Sequence, residues 1–167
     1  WGISSNSHNA ALAVFCNDSL MFASESERFS RIKNDPNIDE HLIFHALQYG
    51  EPDLICWYEK PWKKKLRQLR SGQGLGEKNF TKYFDCKHKF FDHHYSHACA
   101  GYFTSKYRNC AVLVVDAIGE STTMSIWSAG GNRLHLRYKL EYPNSVGLWY
   151  SAMTQRIGLK PNEDEYI

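Results

Sequence analysis

The chain has 167 residues, enough for one domain with a sizeable core, or for one and part of a second. It is 43% hydrophobic and 23% charged, with a net charge of only +2, so composition demands neither nucleic acid nor a membrane surface. No apolar run approaches the ~20 residues needed to span a bilayer. No signal peptide is evident: the chain opens directly on a strand-like segment, without an initiator methionine, and is expected to lack residues at its front. Five cysteines without CxxC spacing argue against a disulfide framework or a zinc ribbon and point to a reducing cytoplasm. Cys16 and Cys110 sit in or beside apolar runs and are expected to be small core residues.

Residues 1–24 read as three short strands, with the turn pair Asn17-Asp18 between Ala10–Phe15 and Leu20–Ala23. A charged stretch, Glu25 to Asp35, leads to Pro36. Ile38, Leu42, Ala46 and Tyr49 then recur at helical spacing up to Gly50, an amphipathic helix with a stop. Leu54–Tyr58 is a short buried strand. Pro61–Phe84 is basic, then glycine-rich, then aromatic. Its cluster Lys63-Lys64-Lys65 with Arg67 and Arg70 reads as a solvated face, and Gly72, Gly74 and Gly76 as a mobile loop, since no strand precedes them. Lys87–Phe91 is a strand, and the small residues after His93 suit a closely packed helix. Three strands follow, Ala111–Asp116, Thr122–Trp127 and Leu134–Leu140, with Gly130-Gly131-Asn132 as a turn between the last two. Val146–Ile157 is a helix closed by Gly158.

Three strands and a helix near the start are thus echoed by three strands and a helix near the end. This duplicated α/β plan is that of the actin-like ATPase and sugar kinase architecture, in which two ribonuclease-H-like lobes face a nucleotide cleft. The expected organisation is a first ribonuclease-H-like lobe over 1–108 and the beginning of a second over 109–167, the cleft being incomplete where the chain stops.

Two His-xxx-His pairs occur. His41 and His45 lie on the polar side of the amphipathic helix and read as solvated. His93 and His97 stand where a strand gives way to a helix, a position at which open α/β sheets place ligands. Four residues apart on a helix, both imidazoles project from one face and can share a metal. Asp116 ends an apolar strand beside the turn Ala117-Ile118-Gly119-Glu120 and is a natural third ligand. Two imidazoles and a carboxylate leave open coordination positions, as catalytic iron and zinc sites require. The bland alternative is a histidine pair making backbone hydrogen bonds at a helix start.

The run His93-His94-Tyr95-Ser96-His97-Ala98, followed by Val114-Val115-Asp116-Ala117-Ile118-Gly119-Glu120, resembles the nodulation-type O-carbamoyltransferases. That family shows a paired histidine, Ser-His-Ala, and a strand ending in Asp-Gly-x-Gly-Glu. Gly2-Ile3, His8, Ala10-Ala11 and Leu12 resemble its opening, and Glu25-Ser26-Glu27-Arg28-Phe29-Ser30-Arg31-Ile32-Lys33 its Arg-Phe-Ser-Arg signature. Glu59-Lys60-Pro61 and Pro143 to Ala152 also fit, so the matches run in order from end to end.

The resemblance implies a mechanism. Such enzymes make carbamoyl-adenylate from carbamoyl phosphate and ATP in a separate YrdC-like domain. The domain resembling this chain binds that intermediate and passes the carbamoyl group to the hydroxyl of a small-molecule acceptor. By carry-over, His93, His97 and Asp116 hold a divalent metal, iron in the family, and a further aspartate ligand comes from beyond residue 167. His8 is the candidate for orienting or deprotonating the acceptor hydroxyl. Asn9, Arg28, Lys33, Gly119 and Glu120 are candidates for substrate or nucleotide binding. Departures touch acceptor specificity: Asn9 stands where the family has Asp, Asn34 where a His is common, and Ala117 for a Gly. The stretch 61–92 is also short for the family, and the abrupt end after Pro161 reads as that of a fragment. Competing readings are a tRNA threonylcarbamoyl-transfer protein, a sugar kinase, and a catalytically silent module that binds nucleotide, metal or a partner chain. No membrane is implied, nucleic acid is disfavoured by the modest charge, and an oligomer is compatible with an unfinished second lobe.

Overall fold

The computed structural model describes residues 1–6, 8–70, 84–161 and 164. The chain packs as two compact units, Trp1–Lys60 with Gln68–Phe91, and Pro61–Arg67 with Asp92–Ile167.

In the first unit, β1 (Gly2–Ser4), β2 (Ala11–Cys16) and β3 (Ser19–Glu25) form an antiparallel meander. Asn17 and Asp18 join β2 to β3 with φ of 48° and 65°. A two-residue hairpin needs this left-handed backbone, and short Asx side chains tolerate it. Along β2, Leu12 and Val14 point to the core and their neighbours point away, the period of two that a half-buried strand dictates. The charged stretch after β3 holds one helical turn, α1 (Glu27–Ser30), followed by α2 (Glu40–Leu47). Asp39 caps α2 by accepting from the backbone N–H of His41 at 2.8 Å. β4 (Leu54–Trp57) then pairs in parallel with β1, and β5 (Lys87–Phe90) with β4, giving the order β3-β2-β1-β4-β5.

The core of this unit sets Leu42, Ile43 and Ala46 of α2 against Ile3, Leu12, Val14, Ile55 and Trp57 of the sheet. Ile43 joins this face in place of the expected Tyr49, which is exposed, because the helix ends at Leu47 and Tyr49 lies past its last turn. Cys16 is exposed, contrary to expectation. It sits at the outer end of β2, next to the hairpin turn and past the last buried position, Val14.

Pro61–Arg70 forms a helix, α3, where the sequence reading saw a basic stretch: Trp62, Leu66 and Leu69 recur at i, i+4 and i+7, an apolar period that the surrounding cations mask. The loop expected at Gly72, Gly74 and Gly76 lies outside the described residues.

The second unit is built from α4 (His93–Phe103), the meander β6 (Asn109–Gly119), β7 (Thr122–Gly130) and β8 (Arg133–Glu141), and α5 (Val146–Arg156). Ala98 of α4 meets Val114 and Trp127 of the sheet, with Tyr95, Val112 and Leu134 around them. Tyr102 Oη lies 2.8 and 3.0 Å from the carbonyl oxygens of Arg108 and Gly131, fastening the end of α4 to the residue before β6 and to the β7–β8 turn. α4 packs on β6 and β7, within the second unit. The repeated plan of three antiparallel strands followed by helix is present in both units. Among the described residues, no helix is long and apolar enough to cross a membrane.

Candidate metal centre

Asp116 owes its position to an irregularity in β6. The β6–β7 ladder runs in register to Val115↔Met124, breaks, and resumes at Gly119↔Thr122, so Asp116, Ala117 and Ile118 stand opposite Thr123 alone. A bulge of this kind re-aims side chains at a strand end. Its backbone is braced from α5. Ser145 Oγ donates to the carbonyl of Ala117 at 2.6 Å while accepting from Leu148 N–H at 3.0 Å as the cap of α5. Gly147 completes the brace, since a Cβ there would lie 2.7 Å from the Cα and N of Ala117 and 2.8 Å from the carbonyl oxygen of Asp116.

α4 supplies the other two groups. His93 and His97, one turn apart, bring their Nε2 atoms to 3.0 Å, and His93 Nε2 lies 2.8 Å from Asp116 Oδ2. One ligand atom from each of the three residues falls within 4.8 Å of the others. Adjacent ligands held at ~2.1 Å from a common ion stand roughly 3 Å apart, so these spacings fit a shared divalent cation. Asp116 is ionised over the whole neutral range: its pKa is lowered to about 2, first by the hydrogen bond from His93, then by that ring's charge, with burial opposing. The second oxygen, Oδ1, accepts from the N–H of Ala117 at 2.7 Å. The pKa of His97 is lowered, first by partial burial and then by neighbouring His93, against the pull of Asp116. A neutral imidazole beside an ionised carboxylate is the protonation state a metal ligand set requires.

Two groups behind the cluster escaped the sequence reading. His94 is buried, with Nδ1 2.8 Å from Ser125 Oγ, and Ser125 Oγ accepts from the indole N–H of Trp127 at 2.8 Å. This chain registers α4 on β7 through fully buried polar atoms, each of which needs its partner. Burial first lowers the pKa of His94, keeping it neutral. Lys63, part of the run read as solvated, lies 2.5 Å from Asp92 Oδ1 and 3.3 Å from Glu120 Oε2. β7 gave no signal for Ser125: flanked by Met124 and Ile126, it would be turned to solvent by simple alternation, whereas it is fully buried. A basic run gives no hint of which lysine folds inward.

Gly119 and Glu120, expected at a ligand, are both buried. A Cβ on Gly119 would overlap Cδ2 of His93 and stand 2.9 Å from its Cγ and 3.0 Å from Cδ2 of His94, so only glycine lets the strand approach the rings.

The remaining expected residues lie in the first unit. His8 is exposed in the β1–β2 connection, with Nδ1 2.9 Å from Asn9 Oδ1. Asn6 and Asn9 both take left-handed backbone, φ 65° and 53°. That connection is tied to the segment following α1: Asn6 N–H donates to the carbonyl of Pro36 and Ala10 N–H to that of Asp35, both at 2.7 Å. Lys33 and Asn34 belong to this docked segment, and Lys33 is exposed. Arg28, on α1, is also exposed and lies 3.8 Å from Glu27. His41 and His45 are exposed on α2.

Residues 56–167 match the family model described as Carbamoyltransferase N-terminus, which covers most of the chain. The chain belongs to that family. Two curated relatives extend the likeness across the whole sequence. An uncharacterized protein of Synechocystis sp. is 34% identical over 201 residues, covering 99% of this chain and 33% of the relative. An uncharacterized protein of Methanocaldococcus jannaschii is 28% identical over 159 residues, covering 95% and 30%. The chain thus spans about a third of the length of these relatives. The histidine–aspartate cluster lies wholly inside the part that the carbamoyltransferase model matches.

Proposed function

We propose that the protein containing this chain is an O-carbamoyltransferase of the nodulation type, and that His93, His97 and Asp116 are its metal ligands. The observation that carries the reading is the convergence of these three side chains within a carbamoyltransferase-family segment. The donor set is that of an iron or zinc centre with open positions, iron being favoured by the resemblance. When bound, the ion would act as a Lewis acid toward the carbamoyl-adenylate made from carbamoyl phosphate and ATP.

The chain's own residues have separate duties in this reading. Asp116, ionised at every physiological pH, supplies the negative charge of the centre. His8, exposed and with its ring oriented by Asn9, receives the proton of the acceptor hydroxyl. Arg28 and Lys33, both exposed cations, grip phosphate or an acidic acceptor. Gly119 and Glu120 support the centre rather than touch a ligand. The strand order of the first unit, three antiparallel strands with two parallel strands added beyond β1, supports a ribonuclease-H-like lobe within an actin-like ATPase fold. The five free thiols suit a reducing compartment, the cytoplasm.

Elemental analysis of the purified full-length protein tests the ligand assignment. The expected result is a stoichiometric transition metal that is absent from the His93→Ala/His97→Ala variant, together with loss of carbamoyl transfer. A folded, freshly purified protein without metal sinks the assignment.

A further inference from the structure

Lys63 bridges two carboxylates, Asp92 and Glu120, which directly flank the elements that carry the proposed ligands. Asp92 immediately precedes His93 and occupies the N-cap position of α4. A capping aspartate ordinarily turns its carboxylate onto the first free N–H groups of its helix. Asp92 makes no such bond, and its Oδ1 sits 2.5 Å from Lys63 Nζ. Glu120 is in the tight turn that follows Asp116 in the chain. It has left-handed backbone, φ 57°, at a position where glycine is the usual occupant, and its side chain is only 6% exposed. A carboxylate buried to that degree requires a counter-charge, which Lys63 supplies at 3.3 Å. The ammonium pKa is raised, first by the hydrogen bond to Asp92 and with the charge of Glu120 adding to it.

One side chain therefore fastens the start of the histidine helix to the turn beyond the aspartate strand. These elements must hold His93 Nε2 and Asp116 Oδ2 at 2.8 Å, and Gly119 leaves no slack between the turn and the two rings. We infer that Lys63 is a positioning residue for the His93–His97–Asp116 cluster, acting through Asp92 and Glu120 without touching the metal. The inference rests on the metal reading given above, and it has a sign that separates it from a plain charge effect. Removing a positive charge near a cation site strengthens cation binding by Coulomb's law. Releasing the two elements weakens it.

The experiment is a cobalt(II) titration of the full-length protein and its Lys63→Met and Lys63→Arg variants, followed by the visible ligand-field band, with thermal midpoints taken in parallel. Lys63→Met is expected to lose about tenfold to a hundredfold in affinity, the range found when outer-sphere partners of metal ligands are removed, and to shift the band. Lys63→Arg should recover most of the loss, since it keeps both ion pairs. Unchanged or tighter binding in Lys63→Met, with or without a lower thermal midpoint, overturns the inference. If the unaltered protein takes up no cobalt, the metal reading fails on its own. Lys63 is then judged by the ring resonances of His93 and His97 in heteronuclear NMR. Resonances that move in Lys63→Met and return in Lys63→Arg uphold positioning, and resonances that stay in place refute it.

Discussion

Asp116, His94 and His97 are ordered by what each environment does to a proton. Asp116 falls from 3.8 to about 2 because His93 hydrogen-bonds its charged form, an effect larger than the opposing cost of burial. His94 and His97 move down from 6.5, burial being the first cause for each. A group with a depressed pKa binds fewer protons folded than unfolded, so its contribution is present above the unfolded value and is lost as pH falls toward the folded one. Metal-free protein should therefore lose stability in two steps on acidification. The first begins below 6.5, from His94 and His97, and the second below 3.8, from Asp116. The second is worth on the order of 2 kcal/mol at most. Urea midpoints measured against pH check this. Asp116→Asn should erase the lower step and leave the upper one, and a single step at either pH contradicts the assignment.

At the scale of elements, what was legible depended on whether a segment's own pattern decides its structure. α2 was readable because Leu42 and Ala46 recur on one face and Asp39 caps it, and β2 because Leu12 and Val14 alternate inward. α3 was obscured, for its cations mask the i, i+4, i+7 period of Trp62, Leu66 and Leu69, and its Lys63 takes its partners from residues far along the chain. The grouping of His93, His97 and Asp116 was readable from i, i+4 spacing and a strand-end carboxylate. Their bracing was not: the bulge before Gly119, the buried link from His94 through Ser125 to Trp127, and the seat of α5 on residues 116–117 depend on which elements meet. Ser145 concentrates that dependence, since one hydroxyl both caps α5 and holds the Ala117 carbonyl. Ser145→Ala should destabilise by about 1–2 kcal/mol, the upper part of the range for a lost cap because a second bond goes with it. Chemical denaturation measures this. A loss below ~0.3 kcal/mol would show that the bracing bond contributes nothing beyond what water replaces.

For the whole molecule, the two units divide the proposed labour in a way that can be tested. The cluster of His93, His97 and Asp116 draws all its side chains and its bracing from the second unit. His8, Asn9, Arg28 and Lys33 all belong to the first. His8 is exposed, and its bond to Asn9 Oδ1 is a surface contact between sequence neighbours, so removing its ring costs little structure. His8→Ala in the full-length protein should thus leave metal content and thermal midpoint unchanged, while carbamoyl transfer falls by about 10²–10⁴, the range for losing a positioned acid–base group. The double variant His93→Ala/His97→Ala should show the opposite order, losing metal and activity together. It should also cost up to on the order of 2 kcal/mol of stability, because it removes the His93 hydrogen bond that holds Asp116 ionised, while the core of Ala98, Val114 and Trp127 stays intact. The discriminating quantity is kcat measured at saturating metal. Full activity in His8→Ala would move the proton acceptor to another residue while leaving the metal assignment standing. Loss of metal in His8→Ala would mean that the two units cannot be treated as separate sources of binding and proton transfer.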